Sequence, residues 1–284
     1  MFSVMIPCHR PRPDWLKQTL QSVVSQLDLR QHQVVVVDDA SPESHWYWLP
    51  KLTKSLGVRL VRHDEEKGGV GTHNACIGLA EQPLVHILHP DDWVLPGFYE
   101  HIALKAAEQP DVAMYATEAL WVNEQGVPYL VPVTNWLRGP RRFQPLHEGN
   151  PLCVAATVVR REAYSKWGGW ERKLIHTADW ECWCCLVTKG GGAQVHWPLA
   201  CYRTSGVNHT TRLMRMAENL KDYLHLAQIV AGYMPVDHAR FRAYVAGRAR
   251  NQEALFRQQG DAEAAGANAA LAVLLEEPEV VTIR

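Results

Sequence analysis

Apolar and polar positions follow two alternating periods along the first two hundred residues. Phe2-Ser3-Val4-Met5-Ile6-Pro7 is an apolar run, read as a strand over 2–7 that Pro7 stops. Asp14 then precedes Trp15, Leu16, Thr19, Leu20, Val23, Val24 and Leu27, a single stripe at helical spacing, and is placed to cap that helix. Val34-Val35-Val36-Val37 is a β-branched run of the kind buried on both faces of a sheet, and a second helix follows it. Residues 58–61 predict a third strand. Gly68-Gly69-Val70-Gly71-Thr72-His73-Asn74 predicts a glycine-rich turn into a helix over 71–81. Val85-His86-Ile87-Leu88 predicts a fourth strand. Strands and helices alternating in this way predict an α/β fold, a mostly parallel central sheet flanked by helices.

Past a helix near 97–108 the rhythm loosens. Strands are expected over 112–118 and 127–133, then a loop rich in Pro, Arg and Gly over 134–150, then an apolar stretch over 151–160. Gly168-Gly169 is a turn. Asp179 precedes Trp180, Trp183, Cys184 and Leu186, a helix running to Gly190, and two short strands end near Arg203. Residues 204–212 are polar and read as a mobile loop. From 213 on, helices are expected over 213–233, 236–259 and 261–276, broken by Pro235 and Gly260. The last of these are Ala-rich and suit a helical hairpin, docked on the body or pairing two protomers.

Two acidic pairs each end a strand of this sheet: Asp38-Asp39 and Asp91-Asp92. In open α/β sheets that edge is where ligands bind. Adjacent carboxylates repel, and holding them together without a cation is costly. Asp91-Asp92 therefore reads either as a divalent-metal site or as a turn with Asp near a helix start. With a glycine-rich turn between them, the two pairs suit a nucleotide. A carboxylate accepts hydrogen bonds from a base or a ribose, and a metal holds the phosphates. Gly68–Gly71 matches neither the dinucleotide fingerprint nor a Walker A loop, which weakens both of those readings.

Composition narrows the field. The 284 residues, 47% of them hydrophobic, suffice for one large domain and an appendage. A net charge of −1 gives no basic footprint for nucleic acid. No leader pattern precedes the first strand, and no apolar run reaches the ~18–20 residues of a membrane span. The expectation is a cytoplasmic protein, at most peripheral at the inner face of the membrane. Seven cysteines, without framework spacing, favour a reducing compartment. Cys182, Cys184, Cys185 and Cys201 with His196 lack the spacing of a zinc site, and buried thiols are the stronger reading.

In order, Ser3-Val4-Met5-Ile6-Pro7, Val36-Val37-Asp38-Asp39-Ala40-Ser41, Gly69-Val70-Gly71-Thr72-His73-Asn74, Leu88-His89-Pro90-Asp91-Asp92, Gly168-Gly169-Trp170-Glu171 and Ala178-Asp179-Trp180-Glu181 resemble the successive motifs of the family 2 glycosyltransferases. The resemblance covers residues 3 to about 203. It implies a GT-A fold over 1–205, with a nucleotide-sugar-binding half at 1–95 and an acceptor-binding half at 96–205, followed by a helical region at 206–284. It implies a nucleotide-sugar donor, UDP-linked in the first instance, an acceptor hydroxyl on a glycan or glycolipid, and Mn²⁺ or Mg²⁺ as cofactor. Asp39 would hold the base, with Pro7 and His9 lining that pocket. Asp91 would contact ribose or the donor sugar. Asp92 would bind the metal, and Asp179 would be the general base. Gly69, His73, Asn74 and Arg203 are the further donor-binding positions, and His209 and Arg212 lie in the region that in this family closes over the diphosphate. Three positions depart from the pattern: His89 stands where the first Asp of the acidic motif is common, His73 where Arg is usual, and Ala178 where Glu precedes the base.

The chemistry has matching needs. A leaving diphosphate gains charge that a cation offsets. An attacking hydroxyl loses a proton that a carboxylate can take. Both substrates must be held in line. With one base and no carboxylate nucleophile, direct displacement inverts the anomeric centre. Asp179 also suits the N-cap of helix 179–189, and the two roles can coexist. Trp93 or Trp180 is expected as an acceptor wall and Trp183 as core. Arg138, Arg141 and Arg142 read as a solvated charge run. Two other readings stay open. One is a non-catalytic nucleotide- or glycan-binding protein of the same fold. The other is a sugar nucleotidyltransferase, which would need a Gly- and Arg-rich loop that residues 3–14 lack.

Overall fold

The computed structural model describes residues 1–131, 136–205 and 209–277. In chain order the elements are β1 (Phe2–Cys8), α1 (Pro13–Val24), β2 (Gln33–Asp38), α2 (Glu43–Trp46), α3 (Leu49–Ser55), β3 (Arg59–Arg62), α4 (Gly68–Leu79), β4 (Leu84–Ile87), β5 (Trp93–Val94), α5 (Phe98–Glu108), β6 (Met114–Val122), β7 (Pro128–Leu130), β8 (Leu137–Gly139), β9 (Arg142–Phe143), β10 (Thr157–Arg160), α6 (Arg161–Trp167), α7 (Ala178–Gly190), β11 (Gly192–Arg203), α8 (His209–Arg215), α9 (Glu218–Val230), α10 (His238–Gln258) and α11 (Ala262–Glu276). They fall into two compact units. The first holds Met1–Gln144, Pro151–Arg172 and Cys182–Thr204. The second holds Pro145–Asn150, Lys173–Glu181 and the described residues from Ser205 on.

The first unit is built on one sheet of order β3-β2-β1-β4-β10-β6-β11-β5, with β7 paired to β6. Strands β3, β2, β1 and β4 run parallel, as do β6 and β11. Strand β10 lies antiparallel between β4 and β6, and β5 antiparallel on β11. The β-branched run in β2 explains its place: Val34 to Val37 are all buried, Val36 against β1 and α1 residues of the core. Leu16, Leu20 and Val23 carry the apolar stripe of α1 into the same core.

Several local expectations are corrected. Pro7 does not stop β1, which runs on to Cys8 in register with Asp38. It ends only the ladder to β4, at Met5 and Ile87, because it has no N–H to donate there. Asp14 is not the cap of α1: Arg12 holds that place, Pro13 opens the helix, and Asp14 sits in the first turn paired to Arg12 at 3.2 Å. Gly68, Gly69 and Gly71 are not a separate turn; they are the first turn of α4 itself. The two short strands before Arg203 are one strand, β11, whose register slips around Pro198. The stretch 134–150 contains the small hairpin β8–β9. Of the strand expected over 127–133, residues past 131 lie outside the described residues, as do 206–208 of the polar loop and the side chain of His209.

In the second unit α10 and α11 form the expected helical hairpin. Asp237 caps α10 through the Arg240 N–H, and Asp261 caps α11 through the Ala264 N–H. The helix expected over 213–233 is broken at Ala217, whose left-handed backbone (φ 55°) separates α8 from α9. No helix among the described residues is long and apolar enough to cross a membrane.

Candidate active site

Asp38 is the last residue of β2 and Asp39 follows it, while Asp91 and Asp92 lie past the C-terminal end of β4. The backbone there is tight: Arg10 and Ala40 hold left-handed conformations at φ 51° and 52°. The Arg10 N–H donates to Ser41 Oγ at 2.8 Å, and His9 Nδ1 donates to the Asp39 carbonyl at 2.7 Å. Asp38 is structural. Its Oδ2 accepts the Ser41 N–H at 3.1 Å and lies 3.5 Å from Arg62 Nε.

Asp39 is buried, yet its carboxylate is well supplied with donors. Oδ1 accepts from His63 Nδ1 and the Lys67 N–H, and Oδ2 from the Gly68 N–H, each at 2.9 Å. The carboxylate thus caps the N-terminus of α4 from across the sheet, where a negative charge is favoured. Burial works against the ionised form, but His63 and the two amides outweigh it and hold the carboxyl below its usual range. Three of about four acceptor positions are used, which leaves one. The Thr72 hydroxyl, which donates to the Gly68 carbonyl at 3.0 Å, stands beside the carboxylate and also favours its ionised form.

Asp92 is in the opposite condition. Its side chain is 1% exposed. Oδ1 accepts the backbone N–H of Arg203 at 2.8 Å, but Oδ2 has no hydrogen-bond partner. Burial, with Asp91 beside it, pushes this carboxyl well above the usual range. His89 Nδ1 stands 3.7 Å from Oδ2. Among the described residues, His89, Asp91 and Asp92 are the one cluster of three metal-ligating side chains, with ligand atoms all within 4.8 Å of one another. An orphaned buried carboxylate oxygen, a second carboxylate and an imidazole nitrogen at that spacing fit a divalent cation. The cysteines expected as core, Cys182, Cys184, Cys185 and Cys201, are buried.

Arg203 braces the acidic turn. Its Nε donates to the Asp91 carbonyl at 2.9 Å, one terminal nitrogen to the Glu124 carbonyl at 2.6 Å, and the other to Gln18 Oε1 at 2.7 Å. The guanidinium lies over the rings of Trp15 and Trp93, at 4.9 and 4.8 Å. Thr19 adds a 2.7 Å bond to the Asp92 carbonyl. Asn74 is likewise a strut. Its Nδ2 donates to the Trp170 carbonyl at 2.9 Å while its Oδ1 accepts the Trp170 N–H at 2.8 Å. A side chain at Gly169 would collide with that amide. His73 is buried with its ring stacked on Trp170 at 3.9 Å. Its Nδ1 donates to the Gly69 carbonyl at 2.7 Å, and its Nε2 meets His89 Nε2 at 2.9 Å. Burial and His89 lower its pKa to about 3. Gly69 has open space around its Cα.

In the second unit, Asp179 stands in the first turn of α7, half-buried. Its Oδ1 accepts the Trp180 N–H at 2.7 Å and its Oδ2 a 3.3 Å bond from Asn150. Burial is the largest influence, with Asp222 adding to it, and the carboxyl is raised to about 6. Asp222 in α9 holds the approach to this helix: it accepts from the amides of Ile175, His176 and Thr177 at 3.1, 2.9 and 2.8 Å, and from the Thr177 hydroxyl. Trp180 is 1% exposed and packs edge-on against Tyr223 and Phe241. It is core, like Trp183, rather than an acceptor wall, because no ring face is left for a sugar. Trp93 is half-buried with a face turned to Arg203. His63, Gln18, Asn150 and Asp222 were not singled out by the sequence, since their partners lie up to 185 residues away.

A curled, mostly parallel sheet with acidic turns at its carboxyl edge and a helical C-terminal region is the GT-A glycosyltransferase architecture. The Glycosyl transferase family 2 profile matches residues 3–168, more than half the chain, and the chain belongs to that family. It is 24% identical to an uncharacterised protein of Mycobacterium tuberculosis over 78% of its own length and 73% of that protein. In fold it is similar to S. aureus TarS 1-349 in complex with UDP-GlcNAc (TM-score 0.60, 14% identity, 93% of this chain and 89% of that one). It is also similar to the mannosyltransferase PcManGT from Pyrobaculum calidifontis in complex with GDP-Man and Mn²⁺ (TM-score 0.59, 14% identity, 98% and 76%). The chain spans 55% of the longer S. aureus TarS chain.

Proposed function

We propose that this glycosyltransferase is divalent-metal-dependent and inverting, and that it moves a sugar from a nucleotide-sugar, UDP-linked in the first instance, to a hydroxyl of a glycan or glycolipid. The observation that carries this reading is the orphaned Oδ2 of Asp92, clustered with His89 and Asp91 past the end of β4. Two structural neighbours in complex with nucleotide-sugars, one of them also with Mn²⁺, support it.

His89, Asp91 and Asp92 would hold the cation, which would offset the charge gained by the leaving diphosphate. Arg203 keeps Asp91 and Asp92 in place through the backbone bonds described above. Pro7, His9 and the remaining acceptor position of Asp39 bound the site for the base. Gly69, with no side chain, lets the donor approach the start of α4. Asp179 takes the proton of the acceptor hydroxyl as it attacks. A carboxyl near 6 suits that task, ionised at neutral pH yet basic enough to accept a proton. One base and no carboxylate nucleophile give inversion.

The test is nucleotide release from UDP- and GDP-sugars with and without Mn²⁺, alongside thermal shift. A cognate donor with Mn²⁺ should raise the melting temperature and turn over. Binding without turnover for any donor and acceptor would favour the non-catalytic reading. Turnover unchanged in EDTA would remove the metal.

A further inference from the structure

Two imidazoles stand behind the acidic turn, and their hydrogen bonds run in one direction. The Gly69 carbonyl only accepts, so His73 Nδ1, 2.7 Å away, carries a proton. His73 is buried against Trp170 and His89, and an imidazole that keeps its one proton on Nδ1 presents Nε2 as a lone pair. His89 Nε2, 2.9 Å from that lone pair, therefore donates. A neutral His89 with its proton on Nε2 has a bare Nδ1. That atom faces the acidic pair, 3.7 Å from Asp92 Oδ2. The gap is too long for a hydrogen bond. It is shorter than the ~4.2 Å between two opposed ligands each ~2.1 Å from a cation. Resting on the metal-dependent reading above, we propose that His89 ligates the cation through Nδ1, that His73 is the positioning residue that holds this tautomer, and that the site consequently takes Mn²⁺ or another imidazole-accepting transition ion in preference to Mg²⁺.

Imidazole nitrogen suits the transition ions, whereas Mg²⁺ prefers oxygen and keeps its waters. The hydrogen-bond partner of a ligating histidine fixes its tautomer and ring plane, and losing that partner costs about 10- to 100-fold in metal affinity. His73 is itself held, by the 19° stack on Trp170.

The test uses the tag-free full chain. Mn²⁺ and Mg²⁺ are titrated by calorimetry with and without UDP, and bound Mn²⁺ is read by pulsed EPR for ¹⁴N coupling. Wild type should bind Mn²⁺ more tightly than Mg²⁺ and show the coupling. His89→Asp should lose the coupling, keep a metal site and lose most of the Mn²⁺ preference. His73→Phe keeps a ring on Trp170 but offers no acceptor, and its Mn²⁺ affinity should fall about 10-fold or more. His73→Gln, whose amide oxygen accepts the same proton, should recover most of that loss. Circular dichroism checks folding; if His73→Phe fails to fold, the wild-type signal and its loss in His89→Asp still decide the ligand. Mn²⁺ bound without ¹⁴N coupling, or coupling that survives in His89→Asp, overturns the proposal and leaves metal-dependent transfer standing. No Mn²⁺ bound by wild type with UDP overturns both. Equal Mn²⁺ affinity in folded His73→Phe and wild type removes the role of His73.

Discussion

Asp39 and Asp92 each follow a parallel strand of one sheet and each is nearly closed to solvent, at 3% and 1% exposure. Asp39 collects bonds from His63, Lys67 and Gly68 and is held ionised below its usual range. Asp92 collects a single amide, from Arg203, and its second oxygen has none. Sequence makes these positions look like twins. The fold gives one carboxylate its counterparts from the chain itself and leaves an oxygen of the other without any. Burial alone therefore says little about an acidic residue; the donors around each oxygen decide whether it builds structure or binds a ligand.

The comparison breaks most sharply at Asp92→Asn. Transfer should fall by about 10³-fold or more, the scale of several kcal/mol of lost charge stabilisation. Stability in EDTA should hold or rise, because a buried charge is removed and an acceptor for the Arg203 amide is kept. An active variant would end the role given to Asp92. Asp179→Asn should lose about 10²- to 10⁴-fold in kcat, as expected when a general base is removed. Mn²⁺ and UDP binding should be retained in that variant, which equilibrium titration can check. Asp39→Asn should do what Asp92→Asn does not. An amide NH₂ would face the Lys67 or Gly68 N–H, and denaturant melts should show a loss of about 2–4 kcal/mol.

Acidity sharpens the contrast further. The proposed base must be deprotonated to act, and burial raises the Asp179 carboxyl to about 6. The wild-type kcat/KM should be flat above that value and fall about tenfold per pH unit below it. A profile flat to pH 5 would remove Asp179 as the titrating base. The smallest effect is at Asn74→Ala. It removes two bonds to Trp170 and should cost about 1–3 kcal/mol of stability while leaving UDP affinity within a few-fold.

The strands and both acidic turns were legible because burial on two faces demands β-branched runs such as Val34–Val37, and these announce themselves locally. The helix that carries Asp179 was legible from the aromatic residues that follow it. The partners were not. Arg203 reaches Asp92 across 111 positions and Gln18 across 185, and nothing in local spacing records such a bond. The family resemblance implies Arg203 and Asn74 as donor contacts, and it does not show that the fold also ties them to Asp91, Asp92, Gln18 and Trp170. Strand β10, inserted antiparallel between β4 and β6, escaped for the same reason, since its neighbours are chosen by the sheet rather than by its own four residues.

The Asn74 amide lies where any side chain at position 169 would stand. Positions 74 and 169 are thus one lock spread over two distant stretches of chain. Drift at either should be tolerated only when the other changes with it, while the intervening loops remain at liberty to lengthen or shrink. A survey of related chains should find these two varying as a pair.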